Sequence, residues 1–193
     1  MMLLTVELFA YYISLDKSMP SSVGPSSLNE LTRKNMTLRR GIAGLSPKEV
    51  YILIDTANEV LSLKKGNRTI LKALISSGNG NILRTPGGER QWVFDTPRGE
   101  FEVKKKIAGP KWIRPDWAFI EEGEDIPKDW KDRVEEGVLG DYALGFGNGY
   151  FIHGTLYKRL LGKNVTHGCI RVGDEDLGNI YRISRIGTKI YIF

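Results

Sequence analysis

Cysteine and histidine are nearly absent from this chain, and what is left of them is concentrated. There is one cysteine in 193 residues, so no disulfide can form within the chain. A lone thiol is either buried and inert or free and reactive, and its count does not fix the redox compartment. There are two histidines. No internal repeat or low-complexity tract is present. Long apolar runs are missing too. Leu3 to Ile13 is mostly apolar, but Glu7 interrupts it, no basic residue precedes it, and it is too short to span a bilayer. It reads as neither a good signal peptide nor a transmembrane helix, and fits either the remnant of an anchor or an ordinary apolar element.

What is present is ordinary for a globular protein. The apolar fraction is 41% and the charged fraction 26%, enough for a core and against disorder. The net charge is +5. Basic residues gather at Lys104, Lys105 and Lys106, and at Arg33, Lys34, Arg39 and Arg40. Neither group carries interleaved aromatics or a nucleic-acid motif, so no nucleic-acid partner is expected.

Residues 1–46 and 47–193 differ in pattern. Residues 16–27 are rich in Ser, Pro and Gly and read as a linker. Ser27 and Glu30 have capping-box spacing, so a short helix is expected from Leu28 to about Arg40, ended by Gly41 and Gly44. From Pro47 the signal becomes β. Val50–Ile54, Glu59–Lys64 and Ile70–Ile75 read as a meander with turns between. Glu100–Ile107, Gly149–His153, Gly168–Val172 and Lys189–Phe193 are further strands, and Asp176–Ser184 a short helix. The fold class is mainly β, a sandwich or barrel with short helices. The stretch Gly109–Gly147 is irregular and holds Trp112, Trp117 and Trp130. It reads as a lid or as a surface excursion packed by its own tryptophans.

The chemistry gathers at His153, His167 and Cys169. A free thiol has a pKa of about 8.5, so at neutral pH a nucleophilic cysteine needs a base or a cationic partner. His167 and Cys169 would project to one side of a shared strand. His153 ends a different strand, and pairing of 149–153 with 168–172 would bring it across to Cys169; it is preferred as the base on that ground. Gly168 lets backbone approach a substrate, and the N–H groups around 168–169 are candidates for an oxyanion site. Arg171 shares the face of Cys169 and suits a substrate carboxylate or an internal salt bridge. Two rival readings stand: a zinc site of His153, His167 and Cys169 with Asp174 or Asp176, and a buried cysteine with structural histidines.

The segments Phe151-Ile152-His153-Gly154-Thr155 and Thr166-His167-Gly168-Cys169-Ile170-Arg171-Val172 resemble the signature of the L,D-transpeptidase family, the YkuD catalytic domain, with Thr166 where that family usually has Ser. Asp95–Phe101 resembles its Thr-Pro-x-Gly-x-Phe turn. Pro110, Trp112 and Pro115, then Leu139–Leu144, then Gly187, Thr188 and Ile190 resemble further landmarks. The resemblance spans residues 47–193 and implies a β-sandwich acting on peptidoglycan. Cys169 would attack a tetrapeptide stem, releasing D-Ala and forming an acyl-enzyme. An amine of another stem or of a wall-attached protein would then accept the acyl group. With water as acceptor the enzyme would be a carboxypeptidase. The resemblance implies His153 as base, oriented by the Gly154 carbonyl, with Thr166, His167 and Gly168 as wall and oxyanion region and Arg171 binding substrate or locking a loop. It implies no metal or organic cofactor, a flap over Gly109–Gly147, an envelope location, and an N-terminal membrane tether. A non-catalytic wall-binding or zinc-binding module is the alternative of another class.

Overall fold

The computed structural model describes residues 25–45 and 47–193. The apolar stretch Leu3–Ile13 and linker residues 16–24 lie outside the described residues. The chain divides into two compact units, Met1–Ser46 and Pro47–Phe193.

In the first unit, α1 (Pro25–Leu45) is longer than expected at both ends. Proline is tolerated in a first helical turn because its missing N–H has no intrahelical partner there. Gly41 and Gly44 do not end the helix. An interior glycine costs about 1 kcal/mol relative to alanine, which weakens a helix without stopping it. Leu28, Leu31, Leu38 and Ile42 share one face and are all exposed. Among the described residues, no helix is long and apolar enough to cross a membrane.

The second unit is built on one nine-stranded sheet that curls around a core. The expected meander is β1 (Val50–Asp55), β2 (Val60–Lys65) and β3 (Arg68–Ser76), all antiparallel. A small pair follows, β4 (Ile82–Arg84) with β5 (Gln91–Val93). The expected strand at 100–107 is broken into β6 (Gly99–Glu102) and β7 (Lys105–Ala108). With β10 (Tyr142–Gly147), β11 (Tyr150–His153), β12 (Ile170–Val172) and β13 (Lys189–Ile192), the sheet order runs β6-β13-β1-β2-β3-β12-β11-β10-β7, so the consecutive strands β6 and β7 are its two opposite ends. The turn between them is short: the Val103 N–H bonds Thr188 O, and the next N–H, of Lys104, bonds Gly145 O. Two residues thus bridge the sheet's two ends and close it upon itself. Strand β3 bends the middle: Val60 pairs with Leu74 on one edge, while Ile75 and Ser76 pair with Val172 and Arg171 on the other.

The enclosed core joins Ile52, Ile54, Leu61 and Leu63 to Leu144, Phe146, Ile152 and Ile170 from the other half. Phe101 and Phe146 meet edge-on across it, with centroids 5.5 Å apart. The helix expected at 176–184 is α3 (Asp174–Ile183), which adds Leu177 and Ile180 to the core. Three acids in its first turn complement the helix dipole.

The stretch Gly109–Gly147 is more regular than the sequence suggests. It holds β8 (Lys111–Ile113), α2 (Asp116–Glu122), a 3-10 turn (Trp130–Arg133), β9 (Val134–Glu136) and β10 (Tyr142–Gly147). Strands β8 and β9 pair with each other. Ion pairs tie the segment together. Arg114 reaches Glu122 and Glu124, and Asp116 is held by both Arg90 and Arg133. Trp112 packs against Trp117, whereas Trp130 is exposed.

Candidate active site

Strands β11 (Tyr150–His153) and β12 (Ile170–Val172) are parallel neighbours, with Ile152 opposite Ile170 and His153 opposite Arg171. Side chains alternate along a strand, so His153 and Arg171 share the face that Ile152 and Ile170 turn away from. One step back, Phe151 falls opposite Cys169. Cys169 therefore lies diagonal to His153 on the same face, at the entry of the neighbouring strand. The pairing expected between these two segments is the one observed.

His153 is buried and its ring orientation is fixed. Its Nδ1 lies 2.6 Å from Gly154 O. A carbonyl oxygen only accepts, so Nδ1 carries the proton and the Nε2 lone pair is left open. Burial drives the imidazolium pKa down to about 4; the Gly154 carbonyl pulls it up and the Arg171 guanidinium adds to the decrease. Cys169 is half-buried, with Sγ 3.9 Å from Gly149 O. Burial pushes its thiol pKa up, opposed by the Phe151 main chain and the Arg171 charge. The resting pair is therefore neutral thiol and neutral imidazole. Arg171 is half-buried beside both, and no ion-pair partner for it occurs among the described residues.

Residues 166–169 form a turn instead of the expected strand start, because Gly168 sits at φ +116°. A Cβ there would stand 2.7 Å from the Tyr150 ring and 2.8 Å from Asp95 O, so conformation and space both require glycine. Thr166 organises the turn. Its hydroxyl donates to Cys169 O at 2.7 Å and accepts from the Gly168 N–H at 3.1 Å. That N–H, expected to face an oxyanion, is thereby engaged. The Gly168 carbonyl accepts from Thr96 Oγ1 at 2.9 Å, and Thr96 in turn accepts from the Gly78 N–H. Thr96 had no mark in the sequence beyond its place in the Asp95–Phe101 turn.

The change from strand to turn redirects His167. It leaves the side of Cys169 and joins α2. Its ring stacks on Trp117 at 4.2 Å and meets Phe94 edge-on, and Nε2 donates to Glu121 Oε2 at 2.7 Å. His167 thus ties the Gly109–Gly147 segment to the Cys169 turn. Gly154 is packed as closely as Gly168: a Cβ would meet Asp174 Oδ1 at 2.7 Å and the Gly140 Cα at 2.9 Å. Among the described residues, no three His, Cys, Asp or Glu side chains are grouped to hold a metal ion.

A second buried group went unmarked in the sequence. Glu59, in the β1–β2 turn at φ 53°, accepts from Ser77 Oγ and from Asn164 Nδ2. Its Oε2 is buried without a partner, and burial raises its pKa. Ser77 O also receives the Thr166 N–H, so this cluster backs the Cys169 turn.

Comparisons with known proteins identify the family. The family model for the L,D-transpeptidase catalytic domain, YkuD, matches residues 49–192. The Escherichia coli protein named "Probable L,D-transpeptidase YbiS" is 29% identical over 157 residues, covering 79% of this chain and 50% of that protein. The Salmonella typhimurium protein named "Probable L,D-transpeptidase ErfK/SrfK" is 30% identical over 120 residues, covering 60% of this chain and 38% of that protein. This chain thus spans half or less of the length of these relatives. The crystal structure of an L,D-transpeptidase from Xylanimonas cellulosilytica superposes with a TM-score of 0.56 at 22% identity, over 89% of this chain and 71% of that one, a likeness that speaks to the fold. With a family model covering almost the whole second unit, the chain belongs to the YkuD family of L,D-transpeptidase catalytic domains.

Proposed function

We propose that the protein is a cysteine-dependent L,D-transpeptidase of the cell envelope, acting on peptidoglycan stem peptides. The observation that carries this reading is the open Nε2 of a buried, neutral His153 on the same sheet face as the Cys169 thiol. His153 takes the thiol proton as Sγ attacks the stem carbonyl. The oxyanion falls to the Cys169 N–H, since the Gly168 N–H already serves Thr166. The imidazolium returns its proton to the leaving D-Ala amine, and a thioester remains. An acceptor amine, from a second stem or a wall-attached protein, then attacks. It passes a proton to His153, and the thiolate leaves to take that proton back. Arg171, beside both groups and without an ion-pair partner among the described residues, is suited to a stem carboxylate. Thr166, His167, Gly154 and Gly168 shape the wall. The N-terminal unit, residues 1–46, serves as the tether. No metal or cofactor enters this cycle.

The test is intact-protein mass spectrometry after incubation with a diaminopimelate tetrapeptide muropeptide, with product analysis. The expected result is an acyl adduct and a cross-linked dimer lacking one D-Ala, both absent in Cys169→Ala. Tripeptide alone would make the enzyme a carboxypeptidase through the same thioester. No adduct from folded, reduced protein would sink the nucleophile assignment.

A further inference from the structure

A cavity of about 300 Å³ is lined by Lys104, Lys105, Gly145, Gly147, Gly149 and Phe151. Its place follows from the register. Gly145 pairs with Lys105 on one side and with Phe151 on the other. Phe151 falls opposite Cys169, so Lys105, Gly145, Phe151 and Cys169 form one cross-strand row on one face. The row below it is Ile107, Ala143, His153 and Arg171.

In the upper row the glycine lets its neighbours close in. A Cβ at position 145 would lie 3.0 Å from the Phe151 ring and 3.4 Å from the Lys105 Cβ, so the ring lies over the glycine, and ring and lysine stem border the cavity. Lys104 borders the same space from the hairpin side. Its Nζ lies 3.4 Å from where a Gly147 side chain would begin. The far wall is Gly149, whose carbonyl contacts Cys169 Sγ.

Neither Lys104 nor Lys105 has an ion-pair partner among the described residues, whereas nearby Lys189 is held by Glu100 and Glu102. Two uncompensated ammonium groups on a concave, glycine-floored surface favour an anion. Strands lie about 4.8 Å apart, which puts the β7 backbone about 14 Å from β12. The lysine stems shorten that distance to roughly two residues of extended peptide.

We propose that this cavity is a carboxylate subsite, holding an acidic group of the peptide whose carbonyl or amine reacts at Cys169. It is a second cationic site, reached from the thiol across the strands, whereas Arg171 lies two residues along the thiol's own strand. The proposal rests on the acyl-transfer reading for the identity of its ligand.

Binding tests it without turnover. The full chain carrying Cys169→Ala is titrated calorimetrically with the diaminopimelate tetrapeptide, and with the same peptide capped as amides at every carboxylate. Both titrations are repeated with Lys104→Gln and Lys105→Gln added. These lysines are exposed, so the added changes leave the fold in place. The expected result is a Kd about tenfold weaker for the free-acid peptide in the lysine variant, from the loss of two charge-assisted contacts. The capped peptide should bind both proteins alike. Equal binding of the free acid to both proteins, equal losses for both peptides, or no binding to the parent each overturns the subsite. Failure of the acyl-transfer reading shows separately, as a missing adduct on the wild-type thiol. Lysine-dependent, carboxylate-dependent binding without that adduct supports the subsite and counts against the chemistry.

Discussion

A histidine that holds its proton only below about pH 4 gives the site an unusual acid limit. Because the His153 pKa is driven down by burial, its lone pair persists well below the ordinary histidine range. The acid limb of kcat/KM for acylation should therefore fall near pH 4, not near 6.5, which a stopped-flow pH series would show. A limb at 6 or above would mean that the imidazole is solvated or paired with thiolate in the resting enzyme. The same shift is a stability statement. Between pH 6.5 and about 4 the unfolded chain binds the His153 proton and the folded chain does not. Its contribution is thus complete above pH 6.5 and is lost as pH falls, by about 3 kcal/mol in full. Urea titrations at pH 7 and pH 4.5 should show a smaller acid loss in His153→Asn than in the wild type. At this scale the sequence was informative where residue types were scarce. His153 and Cys169 stood out because there was little else of their kind. The setting of His167 was not legible, since Glu121 and Trp117 lie far upstream and only folding brings them to it.

The turn that presents the thiol depends on hydroxyls as much as on its glycine. Thr166 Oγ1 both donates and accepts within residues 166–169. Thr166→Val should cost about 1–3 kcal/mol, the range for leaving buried partners unsatisfied, and slow acylation. Thr166→Ser keeps the hydroxyl and should restore both, as thermal melts and acylation rates would show. Behind the turn, the Glu59 carboxyl is buried with one oxygen unpartnered, and its pKa is raised. Above the ordinary carboxylate pKa the unfolded chain gives up this proton first, so stability declines as pH rises through the folded value. Glu59→Gln keeps a carbonyl acceptor for Ser77 and Asn164 and carries no charge. Its melting temperature should exceed that of the wild type at pH 8 and match it at pH 4. A variant less stable at both pH values would show that the carboxyl is needed as such. Elements were legible where one period held to its end. Val50–Ile54 and Asp176–Ser184 are examples. The break at Val103–Lys104 was hidden because Phe101, Val103 and Ile107 all fall on odd positions, with only Lys105 out of step, while the chain passes from one sheet edge to the other. Glu59, a charged residue read as the first of a strand, gave no hint of burial; β2 begins one residue later.

At the scale of the whole molecule, closure of the sheet decides which parts are needed for the fold. The core draws on both halves of the curled sheet and on α3, all within residues 47–193. The apolar stripe of α1, Leu28, Leu31, Leu38 and Ile42, is exposed. A helix of 21 residues with two interior glycines and no packed face is marginal in water on its own. The catalytic unit should therefore keep its stability when residues 1–46 are removed. Scanning calorimetry of the full chain and of 47–193 should give melting temperatures within about 2 °C, because 1 kcal/mol shifts a domain of this size by about 2–4 °C. Rates toward a soluble tetrapeptide should also agree, since Cys169, His153, Arg171 and the two cavity lysines all lie in the second unit. A fall of several degrees would mean that α1 lends its apolar stripe to the sheet. A fall in rate alone, with the melt unchanged, would mean that the N-terminal unit acts on the substrate itself.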